Sequence, residues 1–249
     1  MNDTEIPVCR ILGVQIAVLS MEKLVNFLQT HRKELQGQYI CVSNVHTTVM
    51  AYEDTTYRSV QNGAVLAIPD GGPLSSVAHR RGYTEMQRTT GPDLMEEIFK
   101  ISVQNGYRHF FYGSTTETLE HLKSNLEMKY PGIQIAGMYS PPFRELTAQE
   151  DQKIVSRINE TNSDFVWIGL GAPKQELWMA AHRGKIQGIM VGVGAGFNYH
   201  AGELQRAPKW MQCCNLEWLY RLIQDPKRLF KRYLITNTKF IWNAYIKGR

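Results

Sequence analysis

The run Phe165-Val166-Trp167-Ile168-Gly169-Leu170-Gly171-Ala172-Pro173-Lys174-Gln175-Glu176 decides how the chain folds. Its first four residues are apolar and favour extended backbone without polar alternation, which predicts a short strand buried on both faces. Two glycines then permit close backbone approach, and Pro173 suits the first turn of a helix. A buried strand leaving through a glycine turn into a helix is the building unit of a parallel α/β sheet.

The same alternation recurs on either side of this run. Strands are predicted at Tyr39 to Ser43, Ala64 to Ile68, His109 to Tyr112, Ile133 to Met138 and Ile189 to Val193. Helical stretches are predicted from Val45, from the Thr90-Gly91-Pro92-Asp93 start, over Thr116 to Lys129 and over Thr147 to Glu160. Pro69-Asp70-Gly71-Gly72 reads as the turn closing the second strand. Val8 to Leu19 reads as a hairpin around Gly13, followed by an amphipathic helix from Met21 to His31 with Ser20 as its cap. The fold class is therefore α/β, a largely parallel sheet with helices on both faces. After Gly196 the character changes: Met211 to Ile246 is aromatic, basic and helix-like, with a break at Asp225-Pro226. Two parts are expected, a core over residues 1–200 and a helical C-terminal appendage over 201–249.

With 249 residues, 43% of them hydrophobic, the chain can bury one sizeable core, and 20% charged residues exclude a disordered composition. The first residues lack the basic-then-apolar pattern of a secretory signal, and no apolar run approaches the roughly 20 residues a membrane span needs. A soluble or peripheral protein is expected. Cys9, Cys41, Cys213 and Cys214 have neither zinc-site nor disulfide-framework spacing, which suits a reducing cytosol. The net charge of +5 is uneven. From Glu203 onward ten Lys or Arg face three acids, a surplus of seven, so the remainder is −2. A basic segment is attached to a nearly neutral body.

The polar residues that could carry chemistry lie just past the predicted strand ends, where ligands bind in open parallel sheets. Asn44, Asp70, Gly113-Ser114 and the Gly169 to Gln175 run all fall there. Asp70, held between Pro69 and two glycines, could be a general base or simply an Asx-turn residue. Gly113-Ser114-Thr115 could offer backbone amides to a phosphate, or be an ordinary helix cap. In the Gly169-Leu170-Gly171 turn, Lys174 places a cation where a diphosphate would sit. The run lacks the ending of a P-loop and breaks the dinucleotide glycine pattern, so neither an ATPase nor a nicotinamide enzyme is favoured. Gly192 to Gly196 suits a tight turn as well as a ligand contact. Arg88 could neutralise phosphate charge or lie solvated on the surface. The basic aromatic tail suits an anionic membrane surface, a packed helix pair, nucleic acid or a substrate diphosphate. With no nucleic-acid-binding motif beside it, nucleic acid ranks below membrane and substrate. There is no Asp-x-Asp, and the histidines show no metal-ligand spacing.

Taken together the motifs resemble the WecG/TagA/CpsF family, glycosyltransferase family 26, from about Ile11 to the tail. The matching stretches are Ser43-Asn44, Pro69-Asp70-Gly71, Arg88 to Asp93, Phe111-Tyr112-Gly113, Gly169 to Glu176 and Gly194 to Phe197. Most specific are Arg206-Ala207-Pro208-Lys209-Trp210, Glu217 to Leu222 and Asp225 to Arg228. The resemblance implies a Rossmann-like core with a helical appendage. It implies inverting, metal-independent transfer from a UDP-sugar to a sugar on undecaprenyl diphosphate, in teichoic acid, capsule or related polysaccharide synthesis. It also implies a peripheral place on the cytoplasmic membrane's inner face. Asp70 is then the base, with Arg88 and Gln175 beside it as catalytic residues. Asn44, Gly113, Ser114, Gly169, Gly171, Lys174, Arg221 and Arg228 become substrate-binding residues, the two appendage arginines approaching the diphosphate. The donor is expected to be of the N-acetylmannosamine type or a related hexose, although Val42, and the segment from Val45 to Thr48, depart from the teichoic-acid branch. No cofactor or metal is expected. The expected partners are the UDP-sugar, the polyprenyl-diphosphate-linked acceptor, an anionic membrane surface and, in a homo-oligomer, a second copy. The rival reading is a UDP-binding regulatory module without catalysis.

Overall fold

The computed structural model describes residues 6–248, and the side chains of Cys213 and Arg228 lie outside the described residues. The chain forms two compact units. The first comprises Met1–Met21, Ser43–Thr90 and Gln205–Arg249; the second comprises Glu22–Val42 and Gly91–Leu204. Elements are numbered along the whole chain.

In the first unit β1 (Val8–Ile11) and β2 (Val14–Ala17) form the expected hairpin, with Val8 opposite Ala17 and Ile11 opposite Val14. The helical stretch from Val45 is two helices, α2 (Val45–Glu53) and α3 (Thr55–Gly63). Asp54 separates them: its extended backbone ends α2, and its side chain accepts from the Thr56 and Tyr57 amides to start α3. Strand β4 spans Leu66–Pro69, two residues later than its expected start. The Pro69-Asp70-Gly71-Gly72 turn then opens a helix, α4 (Gly72–Arg80), where only a turn was expected. Pro73 lies in its first turn, where the missing N–H costs nothing. The C-terminal segment is mainly helical, with α10 (Lys209–Cys213), α11 (Glu217–Gln224), α12 (Pro226–Phe240) and a π-helical turn (Ile241–Ile246). Helix α12 packs on α2. Lys239 pairs with Glu53, Arg80 stacks over Tyr245, and the Tyr245 hydroxyl donates to the Pro73 carbonyl at 3.3 Å.

The second unit holds α1 (Met21–Thr30, opening at the end of the first), β3 (Tyr39–Ser43), α5 (Gly91–Asn105), β5 (Arg108–Gly113), α6 (Thr116–Lys129) and β6 (Gln134–Tyr139). It continues with α7 (Ala148–Glu160), β7 (Phe165–Gly169), α8 (Lys174–Ala181), β8 (Ile189–Gly192) and α9 (Gly196–His200). The sheet order is β4-β3-β8-β7-β5-β6, and the pairs from β3 through to β6 are parallel. Phe165 to Ile168, Ile189 to Gly192 and all of β3 are buried, which requires cover on both faces and explains why these strands read as unbroken apolar runs. The expected Rossmann-like α/β architecture is the one observed. Helix starts follow the sequence cues: Thr147 and Glu150 form a reciprocal cap on α7, and Thr115 caps α6.

The core of this unit contains a polar chain. The Trp167 indole donates to His109 Nδ1 at 3.1 Å; an indole only donates, so the imidazole proton sits on Nε2 and reaches Ser102 Oγ at 2.9 Å. Burial pushes the His109 pKa down to about 3, so the ring is neutral at ordinary pH. Cys9 and Cys41 are buried free thiols, as their apolar surroundings suggested.

Candidate active site

The sequence-predicted residues fall into two groups, one in each unit. The first unit gathers Asn44, Asp70, Arg88 and Arg221. Asp70 follows β4, and its amide donates to the Ser43 carbonyl at the end of β3, at 2.7 Å. The Thr89 amide and hydroxyl both donate to the Pro69 carbonyl, at 2.8 and 3.3 Å. Three motifs distant in sequence, Ser43-Asn44, Pro69-Asp70 and Arg88-Thr89, are therefore tied together by main-chain groups. Gly71, at φ +107°, lets the chain turn from the strand into α4 directly behind the half-buried Asp70.

Asn44 caps α2. Its Oδ1 accepts from the His46 and Thr47 amides at 3.0 and 3.1 Å, while Thr47 Oγ1 accepts from the Asn44 amide at 2.9 Å. The signal was legible, since Asn is a preferred residue immediately before a helix. His46, the second residue of α2, has its pKa lowered by burial and by the charge of Arg232. Arg88 pairs with Glu217 at the start of α11, and Arg206 Nε meets the other oxygen of that carboxylate at 3.2 Å. Glu217 stood inside a quoted motif without a role. The signal was present as one of only three acids in that basic segment. Arg221 lies half-buried on α11. The side chain of Arg228 falls outside the described residues.

The second unit gathers Gly113, Ser114, Gly169, Gly171, Lys174 and Gln175. Gly113 and Gly169 are paired at the ends of β5 and β7. The approach there is so close that a Cβ on Gly113 would sit 2.5 Å from the Gly169 carbonyl carbon, and φ at Gly113 is +127°. The Ser114 amide donates to the Gly169 carbonyl at 3.3 Å just before Thr115 caps α6. Gln175 is buried, and its Oε1 accepts from the Gly171 amide at 3.2 Å and the Gly194 amide at 3.1 Å. Its Nε2 donates to Glu176 Oε1 at 2.8 Å. The side chain thus braces two glycine-rich strand exits against each other. Lys174, in the first turn of α8, is exposed. The second unit therefore offers tightly packed glycine turns and a helix start with an exposed cation.

Among the described residues no group of three or more His, Cys, Asp or Glu is placed to hold a metal ion, and no helix is long and apolar enough to cross a membrane.

Residues 9–249 match the model of the glycosyl transferase WecG/TagA/CpsF family. The chain is also similar to proteins of Staphylococcus aureus strains MW2 and NCTC 8325 / PS 47. Each is named N-acetylglucosaminyldiphosphoundecaprenol N-acetyl-beta-D-mannosaminyltransferase, and each is 30% identical over 222 residues, 88% of this chain and 85% of the relative. With nearly the whole length matched by one family model, and with the quoted motifs present in order, the chain belongs to the WecG/TagA/CpsF family of glycosyl transferases.

Proposed function

We propose that the chain transfers an N-acetylmannosamine-type sugar from a UDP-linked donor to a GlcNAc residue on undecaprenyl diphosphate, in the synthesis of a teichoic acid, capsule or related surface polysaccharide. The observation that carries this reading is the tying of Asp70 and Arg88 onto neighbouring loops through the Pro69 carbonyl, which sets a carboxylate and a guanidinium beside a strand end. The relatives' names supply the class of donor sugar and acceptor.

The step is a single displacement. Asp70 takes the proton of the acceptor hydroxyl, and the oxygen's electron pair forms a bond to the anomeric carbon. The bond from that carbon to the UDP oxygen breaks, UDP departs with the electron pair, and the configuration inverts. Arg88, Arg221 and Arg228 offset the charge growing on the diphosphate, and these cations take the part that a divalent metal plays elsewhere, so transfer is metal-independent.

The C-terminal helices carry exposed Trp210, Ile223, Phe230, Leu234, Trp242 and Ile246 among lysines, which suits a peripheral seat on an anionic bilayer face. The test is UDP release from a panel of UDP-sugars with a short-chain polyprenyl-diphosphate GlcNAc acceptor in EDTA. Release should require the acceptor. Asp70→Asn should lower kcat by about 10²–10⁴ while leaving the melting temperature unchanged. Near-normal turnover of Asp70→Asn would place the base elsewhere. UDP binding without transfer from any donor would favour a regulatory module.

A further inference from the structure

We propose that Glu217 is a positioning residue, whose carboxylate makes the orientation of Arg88 and the seating of α11 a single event. The inference rests on the reading above only where it gives Arg88 a part in transfer. Glu217 is the first residue of α11, and its side chain is only 17% exposed. Arg88 approaches Oε2 from the loop between α4 and α5, and Arg206 approaches Oε1 from the segment before α10. Both guanidinium-bearing side chains are three-quarters buried or more.

Two guanidiniums this close, in partly desolvated surroundings, repel each other unless an anion stands between them. Glu217 is that anion. Its shape matters as well as its charge, because each oxygen serves a different arginine and so fixes the direction of both. Arg206 is held independently: its Nη2 reaches Gln212 Oε1 at 3.3 Å, and Gln212 Nε2 donates to the Ala207 carbonyl at 2.7 Å. The bracket is therefore rigid on the appendage side, and the side chain it positions is Arg88. The trio keeps one net positive charge, so it orients Arg88 without cancelling the field that would attract a phosphate. If α11 lifts away, Arg88 loses the Glu217 carboxylate that fixes its direction.

The test uses the full chain. Glu217→Gln keeps the volume and removes the charge, and should lower kcat about 10-fold or more while the melting temperature stays within a few degrees. In a cycle with Arg88→Lys the two losses should not multiply, because the second change finds the arginine already misplaced. Hydrogen exchange supplies a readout independent of transfer. Arg88→Ala, more than a hundred positions away in sequence, should raise exchange across residues 205–225 as much as Glu217→Gln does. Glu217→Asp should restore part of both. Unchanged kcat in Glu217→Gln, fully multiplicative losses, or unaltered exchange in Arg88→Ala would each overturn the proposal. If the wild type transfers no sugar, the functional reading fails and the exchange comparison alone decides the coupling.

Discussion

The loops around Asp70 and the glycine exits around Gln175 are both built past strand ends, yet from different materials. Around Gln175 the material is backbone: the amides of Gly171, Gly194 and Ser114 are bonded within the turns, with Gly113 pressed on Gly169. Around Asp70 it is side chains: a carboxylate, arginines and the Glu217 bracket, resting on main-chain ties. A surface made of backbone has no side chain to lose, so it is damaged by adding atoms or by removing its brace. A surface made of side chains is damaged by removing charge, with the fold intact. The two regions should therefore separate stability from turnover in opposite ways.

The largest stability effect should come from Gly113→Ala. The added Cβ would lie within 3 Å of three Gly169 backbone atoms, at a φ that L-residues rarely adopt. Overpacking and backbone strain together should cost roughly 2–4 kcal/mol, read as a lowered urea midpoint, and nucleotide affinity should fall with it. Asp70→Asn, by contrast, should leave that midpoint in place. A Gly113→Ala protein of wild-type stability would mean that the exits tolerate a Cβ and that the contrast is false.

Gln175 tests the brace itself. Gln175→Met keeps the length and removes the acceptor shared by the Gly171 and Gly194 amides. Leaving these part-buried amides without that acceptor should cost about 1 kcal/mol, and UDP should bind about 10-fold more weakly. A group acting only in the chemical step would lose kcat with no change in the unfolding midpoint. Parallel loss of stability and affinity would identify the brace.

The uneven legibility of the sequence has the same origin. Buried parallel strands announce themselves, since Tyr39 to Ser43 and Phe165 to Ile168 must be apolar on both faces. The glycine exits were visible because only glycine fits there. What the sequence did not disclose depends on partners remote along the chain. That Gln175 spans two turns, or that Glu217 sits between Arg88 and Arg206, follows from tertiary placement and leaves no local pattern. The helix α4 escaped for a different reason. Pro69-Asp70-Gly71-Gly72-Pro73 satisfies the rules for a turn and for a helix start alike, and the following Leu74, Val77 and Ala78, buried on one face, decide between them.

Asn44 should give the smallest effect and separates two roles that coincide in one side chain. As the cap of α2 it holds the His46 and Thr47 amides, so Asn44→Ala should cost about 1 kcal/mol. Asn44→Ser can still cap and should recover most of that loss. The side-chain amide, however, is absent in both variants. If turnover recovers with stability in Asn44→Ser, the residue serves transfer only by fixing the start of α2 beside the Ser43–Asp70 tie. If stability recovers and turnover does not, the Asn44 amide itself meets the substrate. Its Oδ1 is already committed to the helix, which leaves the Nδ2 donor, and a donor there would answer a hydroxyl or phosphate oxygen rather than an amine.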